Sequence, residues 1–222
     1  MSGSDLIIFG AGDIAQLACH YFRTDSPLKP KAFTVDGAYV KEDQFEGLPV
    51  VPFEELERRF APQDHRCFVA LSYSGLNSIR RSKFEACKAK GFGAASYISS
   101  RASVLTQLPI GDNAFILEDN TIQPFVRIGD NVTLWSGNHI GHHSTVGDHV
   151  FIASHVVVSG GVNIGEQCFI GVNATLRDHI TLGERCVVGA GALLLADAEA
   201  EGVYLGAGTE RSRVPSSRLK KI

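Results

Sequence analysis

The sequence predicts a small α/β domain followed by a parallel β-solenoid. Strand and helix patterns alternate along the first part of the chain, and an aliphatic residue then recurs at every sixth position. An α-helix repeats its apolar positions about every 3.6 residues and a pleated strand about every 2, so a period of six fits neither. It fits a solenoid in which each six-residue unit, a hexad, forms one flat side of a coil and buries one aliphatic side chain.

The first domain, residues 1–97, is expected to be a Rossmann-like parallel sheet, because strands and helices alternate along it. Strands are expected at 5–9, 31–35, 46–50, 67–71 and 94–98. Helices are expected at 13–22, 53–59 and 76–90.

The second domain, residues 98–208, follows from the hexads. Isoleucine, leucine or valine stands at every sixth position from Ile98 to Leu194. Glycine often follows the aliphatic residue, as at Gly111 and Gly147, and we expect it to adopt unusual backbone angles at a corner. The position two before the aliphatic residue is mostly small or apolar, as a narrow interior requires. Residues 209–222 are expected to form a tail outside the repeat.

This pattern resembles the hexapeptide-repeat acyltransferases. The resemblance implies a left-handed parallel β-helix with three hexads per coil, acyl transfer from an acyl thioester, and a homotrimer. A solenoid without this chemistry, such as a scaffold or a relative of the carbonic-anhydrase type, is the alternative.

A Gly-x-Gly turn, Gly10-Ala11-Gly12, lies between the first strand and the first helix. Backbone N–H groups at such a turn can bind a phosphate or another anion. The full dinucleotide fingerprint is absent, because Ala15 stands where a third glycine is expected. A tight turn without a ligand is therefore the alternative.

The turn, the acidic Asp36 after the second strand and the fused solenoid together resemble the group of sialic-acid O-acetyltransferases and bacillosamine and perosamine N-acetyltransferases. In that group the small domain holds the nucleotide or sugar-phosphate part of the substrate. The resemblance implies that the substrate-binding residues are Gly10, Ala11, Gly12, Asp36, Ser72 and Tyr73, with Asn77 and Arg80 on a diphosphate. The group usually has a histidine after the glycines, where this chain has Asp13-Ile14.

Six of the eight histidines fall in the solenoid: His139, His142, His143, His149, His155 and His179. Several of them could in principle bind zinc. Their positions within the hexads differ, however, so they should project from different sides of the coil, and we expect no metal site. A general base for acyl transfer is favoured instead, because histidine titrates near neutral pH.

The resemblance places the catalytic base at His142, in the slot before Val146-Gly147. The acidic residue that usually follows the catalytic histidine is replaced by His143, which is the rival base; His139 and His155 are weaker candidates. The partner that orients the base is left open, with Asp130 and Asp148 as guesses.

Gly160 lies one 18-residue coil after His142 and could stabilise the oxyanion through its N–H. By the same resemblance, small residues of later coils should border acetyl-CoA between neighbouring subunits. These residues are Gly161, Gly171, Val172, Asn173, Gly189 and Ala190.

Composition narrows the functional class. A formal net charge of −3 gives no basic footprint for nucleic acid. The five cysteines have no zinc-ligand spacing and are expected to be reduced core thiols. No signal peptide or apolar run of about 20 residues is visible, so a cytoplasmic protein without a membrane span is expected.

These observations predict an acetyl-CoA-dependent N-acetyltransferase that acts on the amino group of a nucleotide-linked deoxy-amino sugar. Sugar O-acetylation, or a sugar-nucleotide-binding scaffold without activity, is the alternative.

Overall fold

The fold is taken from a computed structural model, which describes residues 5–218. Residues 1–4 of the expected first domain and residues 219–222 of the expected tail lie outside this range.

The small domain is a six-stranded sheet with helices on its faces. Its strands are β1 Asp5–Phe9, β2 Lys29–Val35, β3 Gln44–Phe45, β4 Leu48–Pro52, β5 His65–Val69 and β6 Gly93–Ala94. Its helices are α1 Asp13–Thr24, α2 Leu56–Arg59 and α3 Ser78–Ala89. The strand order is β3-β4-β2-β1-β5-β6, and only β3 runs antiparallel to its neighbour. The central strand β1 is fully buried at Leu6, Ile7 and Ile8, which explains its continuous apolar run. The predicted Rossmann-like sheet is therefore confirmed.

The single strand expected at 94–98 is wrong. β6 pairs with β5 in the small-domain sheet, whereas the next strand, β7 Tyr97–Ile98, pairs with β9 Phe115–Ile116. Between them, Ala95 and Ser96 carry the chain from the sheet to the first coil. Two short apolar strands in succession cannot be told from one longer strand by composition.

The second domain is a parallel β-helix with three faces. Face I contains β7, β9, β12 Thr133–Leu134, β15 Phe151–Ile152, β18 Phe169–Ile170, β21 Val187–Val188 and β23 Val203–Tyr204. Face II contains β8 Ser103–Val104, β10 Thr121–Ile122, β13 His139–Ile140, β16 Val157–Val158, β19 Thr175–Leu176 and β22 Leu193–Leu194. Face III contains β11 Arg127–Ile128, β14 Thr145–Val146, β17 Asn163–Ile164 and β20 Thr181–Leu182.

The interior of the β-helix is formed by the hexad aliphatics. Every member of the series from Ile116 to Leu194 is buried, while Val104 and Ile110 are only partly buried. Ile98 is exposed, because its strand β7 ends face I and has a neighbour on one side only. Within the residues described, no helix has the length and apolar character needed to cross a bilayer.

The corners of the coil use a different residue from the one expected. The glycines after the aliphatics have ordinary φ values, so the expectation of unusual angles there is wrong. They are needed for space, since a Cβ at Gly147 would lie 2.9 Å from the backbone nitrogen of Glu166 in the next coil. Positive φ instead recurs two residues later, at every sixth position from Asn113 to Gly191.

These left-handed corners form three edges of the β-helix. The domain edge, between faces III and I, contains Asn113, Asn131, His149, Gln167 and Arg185. The third edge, between faces I and II, contains Asp119, Gly137, His155, Asn173 and Gly191. The far edge, between faces II and III, contains Phe125, His143, Gly161 and His179.

The small domain packs on face I and on the domain edge. Phe68 of β5 lies 5.3 Å from Phe115 of β9, and Tyr21 of α1 donates a hydrogen bond of 2.9 Å to Glu118. Because face I lies between the domain edge and the third edge, the far edge is the one opposite the small domain.

Candidate functional site

A pocket of about 560 Å³ opens at the carboxyl ends of β1 and β2. This is where parallel sheets bind ligands. Gly10 and Ala11 form one side of it and Asp36 another. Gly10 has a φ of +126°, and a Cβ there would lie 2.7 Å from the carbonyl oxygen of Ala70. The glycine therefore allows the turn to pass close to the strand end, so backbone forms this side of the pocket.

Lys83 is a pocket residue that the sequence analysis missed. Its Nζ lies 2.7 Å from Oδ1 of Asp36 and above the rings of Phe9 and Phe53, at 5.6 and 5.9 Å from their centroids. Helical spacing was the available signal, since Ile79 and Lys83 are four residues apart and both line the pocket. The pocket thus contains an ion pair between Lys83 and Asp36, and Lys41 and Glu42 also line it.

Asn77 and Arg80 do not line the pocket, and their expected contact with a diphosphate is wrong. Both side chains are buried between α3 and the domain edge. Arg80 donates to the backbone carbonyls of Asn131 and His149, the latter at 2.9 Å, and to Oδ1 of Asn77 at 3.1 Å. They therefore join the two domains. Burial lowers the pKa of Arg80 to about 9, so the guanidinium stays protonated at neutral pH.

Three other expected residues also lie outside the pocket lining. Gly12 precedes α1, and Ser72 contacts Ser74 with 3.2 Å between the hydroxyl oxygens. Tyr73 packs on the β-helix, with its ring 5.1 Å from Phe151 and 4.7 Å from Phe169. Tyr73 is half exposed and extends the aromatic surface of face I.

His142 and His143 lie together on the far edge, exposed to solvent. Their Nδ1 atoms are 3.1 Å apart, within hydrogen-bonding distance. The coil on one side holds the pair through Gln123, whose Oε1 accepts from the backbone N–H of His142 at 2.9 Å. Asp130 and Asp148, the guessed orienting groups, belong to the domain edge, where Asp148 Oδ1 accepts from the backbone N–H of Asp130. They are not partners of His142.

Gly160 lies in the next coil, directly against the ring of His142. A Cβ at position 160 would lie 2.6 Å from Cε1 and 2.8 Å from Nε2 of that ring. The N–H of Gly161 donates to the backbone carbonyl of His142 at 2.8 Å. The glycine therefore leaves the space that the imidazole occupies.

The remaining histidines are distributed over several surfaces. His149 is buried on the domain edge, with Nδ1 at 2.9 Å from Nδ2 of Asn131. Burial is the main cause that lowers its pKa, followed by the charge of Arg81. His155 and His179 lie on the third and far edges, and His139 lies on face II. No group of three potential metal ligands occurs among residues 5–218.

The residues expected to border the acyl donor lie on two edges. Gly161 is on the far edge beside His142, whereas 171–173 and 189–190 belong to the third edge. Face II separates the two sets within one chain and has exposed apolar residues, among them Val157 and Leu193.

Comparison with protein families finds hexapeptide repeats in the second domain. The family described as bacterial transferase hexapeptide (six repeats) matches residues 110–142 and 126–160, and the hexapeptide repeat of succinyl-transferase matches 161–196. Comparison with curated protein sequences gives no significant match.

Solved structures with both domains are similar to this chain. The acetyltransferase domain of PglB from Neisseria gonorrhoeae FA1090 has a TM-score of 0.81 at 23% identity, over 92% of this chain and 97% of that one. The same domain in complex with acetyl coenzyme A gives 0.78, at 23% identity and the same coverage. PerB from Caulobacter crescentus, in complex with CoA and GDP-perosamine, gives 0.77 at 24% identity, over 93% of this chain and 95% of that one. At these identities the likeness shows the shared fold, an α/β domain joined to a left-handed β-helix.

Proposed function

Because its β-helix belongs to the hexapeptide-repeat transferases, we propose that the protein is an acetyl-CoA-dependent N-acetyltransferase acting on a nucleotide-linked deoxy-amino sugar. The observation that carries the proposal is His142, an exposed imidazole held against Gly160 at a corner of the β-helix. The similar PglB domain was solved with acetyl coenzyme A and the similar PerB with CoA and GDP-perosamine, which supports the choice of donor and acceptor.

The small-domain pocket is the proposed acceptor site. Its Gly10-Ala11 backbone can approach a phosphate closely, and Lys83 supplies a positive charge at the same mouth. The apolar residues Val35, Phe45 and Ile79 give the remaining wall, which suits the flat face of a nucleotide base. Asp36 then holds Lys83 in place and is itself a hydrogen-bond acceptor for ribose or base.

The proposed reaction is a direct attack on the thioester. The amine nitrogen bonds to the thioester carbonyl carbon while Nε2 of His142 takes the proton that the amine loses. The N–H of Gly160 is the proposed donor to the oxyanion, since it lies in the backbone that the ring faces. The carbon–sulfur bond then breaks, and the proton passes from His142 to the departing thiolate, which leaves as coenzyme A thiol. Positioning and one general base supply the catalysis.

The site is proposed to form between copies of the chain in a homotrimer. Within one chain, the pocket belongs to the domain packed on face I, and His142 lies on the opposite edge. The two parts can therefore meet only if the far edge of one copy faces the small domain of another. The donor residues on the third edge are likewise completed by the far edge of a neighbour.

Turnover of acetyl-CoA with a panel of nucleotide-linked sugars tests the proposal. Thiol release with acceptors that carry a free amine, and none with hydroxyl acceptors of the same nucleotides, is expected. Hydroxyl acceptors that react equally well would indicate an O-acetyltransferase. Nucleotide-sugar binding without thiol release from any acceptor would contradict acetyl transfer.

A further inference from the structure

The contact between His142 and His143 contains a single proton. Two Nδ1 atoms at 3.1 Å can form a hydrogen bond only if one nitrogen carries hydrogen and the other has its lone pair free. The imidazole that donates through Nδ1 is left with a free lone pair on Nε2. The direction of this one hydrogen bond therefore decides which histidine can act as a base at Nε2.

The surroundings of the two rings differ and indicate the direction. The His142 ring lies against Gly160, with Cε1 and Nε2 the ring atoms nearest to the position that a Cβ would take there, beside the backbone where the thioester is proposed to bind. The His143 ring turns to the coil on the other side, where it packs on Phe125 with centroids 4.7 Å apart and an interplanar angle of 37°. The backbone N–H of His143 also donates to the carbonyl of Pro124 at 3.3 Å.

Phe125 occupies an unusual backbone position for its size. It has a φ of +67° and its side chain is 61% exposed. Bulky residues rarely adopt this conformation, because it is sterically unfavourable for a side chain with a Cβ. Among residues 5–218, only the ring of His143 packs on the ring of Phe125. The conformation of Phe125 therefore places an aromatic ring against that imidazole.

We propose that His143, supported by Phe125, is the positioning residue of the reaction. Its unprotonated Nδ1 accepts the Nδ1–H of His142 and fixes His142 in the tautomer whose Nε2 is free to take the amine proton. The catalytic role assigned to His143 rests on the proposed function. The hydrogen bond between the two rings does not, because it forms whether or not the protein turns over a substrate. An imidazole then does here what a carboxylate does in many base–acceptor pairs.

Two substitutions of His143 separate orientation from folding. Oδ1 of aspartate occupies the same place along the side chain as Nδ1 of histidine, so His143→Asp keeps an acceptor and removes the rival imidazole base. His143→Gly removes the acceptor but suits the φ of +60° at this corner, as Gly161 does in the same edge. We expect His143→Gly to lower kcat on the order of 10-fold to 100-fold with KM unchanged, and His143→Asp to recover most of that loss.

A readout independent of activity is ¹⁵N NMR of the imidazole rings. The unliganded protein should show His142 protonated at Nδ1, His143→Asp should keep this tautomer, and His143→Gly should lose the preference. His142 protonated at Nε2, or equal kcat in the two variants, would overturn the proposal. If no amine acceptor reacts but the tautomers are as expected, acetyl transfer is refuted while the orientation of His142 by His143 stands.

Discussion

The histidines of the β-helix occupy positions of different kinds, and the backbone explains part of their abundance. His143, His149, His155 and His179 stand at left-handed corners, a conformation that histidine tolerates better than most residues. His142 does not stand at a left-handed corner, so backbone conformation does not explain its presence. The family resemblance pointed to His142 as the candidate base, but it could not give the φ values or the ring contact with Gly160, which depend on how successive coils stack.

Replacing the proposed base gives the first prediction. His142→Asn should lower turnover by roughly 10²–10⁴-fold, because a positioned general base contributes about that factor. Binding of coenzyme A and of the nucleotide sugar, measured by calorimetry, should stay within a few-fold of the original, since the exposed ring supports no core contact. His179→Asn, a change of the same type on the same edge, is the matched control. Equal losses in the two variants would argue against a specific role for His142.

The buried histidine gives a prediction about pH. The pKa of His149 is lowered from its ordinary 6.5 mainly by burial, so the unfolded chain binds this proton more readily than the folded one. Above pH 6.5 His149 is neutral in both states and leaves the free energy of unfolding at its full value. Below pH 6.5 the unfolded chain gains a proton that the folded chain binds less readily, so the free energy of unfolding falls. His149→Asn fits the left-handed corner and should flatten the acid side of the stability profile. Urea unfolding across pH 5 to 8 tests this expectation, and an unchanged acid slope would contradict it.

At the scale of elements, the hexad period was enough to predict the coil, because one buried aliphatic per side is a physical requirement of the fold. The orientation of α3 was not predictable to the same degree. Asn77, Arg80 and Lys83 all lie on or next to this helix, and only the packing of the small domain on the β-helix separates the buried pair from the pocket residue. Amphipathic spacing along one helix cannot predict that its polar face is buried by a second domain.

Two adjacent arginines of α3 test this interpretation. Arg80→Met should destabilise the protein by about 1–3 kcal/mol for each domain-edge carbonyl left without a donor. Arg81→Met should cost less than about 1 kcal/mol, because Arg81 forms partly exposed ion pairs with Glu85 and Glu166. Urea unfolding of both variants is the measurement. Similar losses in the two would mean that Arg80 is not the main polar link between the domains.

At the scale of the whole molecule, the sequence could indicate two domains and a trimer by resemblance, but not which surfaces meet. The order of the three faces limits which surfaces of two copies can form the proposed site. The small domain covers face I, so the far edge with His142 points away from the pocket of its own chain. We propose that the reaction takes place between the pocket of one copy and the histidine pair of another.

Subunit mixing tests that claim most directly. Lys83→Glu should inactivate the pocket and His142→Asn the base, and each variant alone should have little activity. The two are unfolded, mixed in equal amounts and refolded together, and acetyl transfer is then measured. If sites form between copies, random assembly should restore about one quarter of the original activity, because a quarter of the sites then combine an intact pocket with an intact histidine. If hetero-oligomers are shown to form and the mixture is still no more active than the separate variants, the proposal that sites form between copies is contradicted.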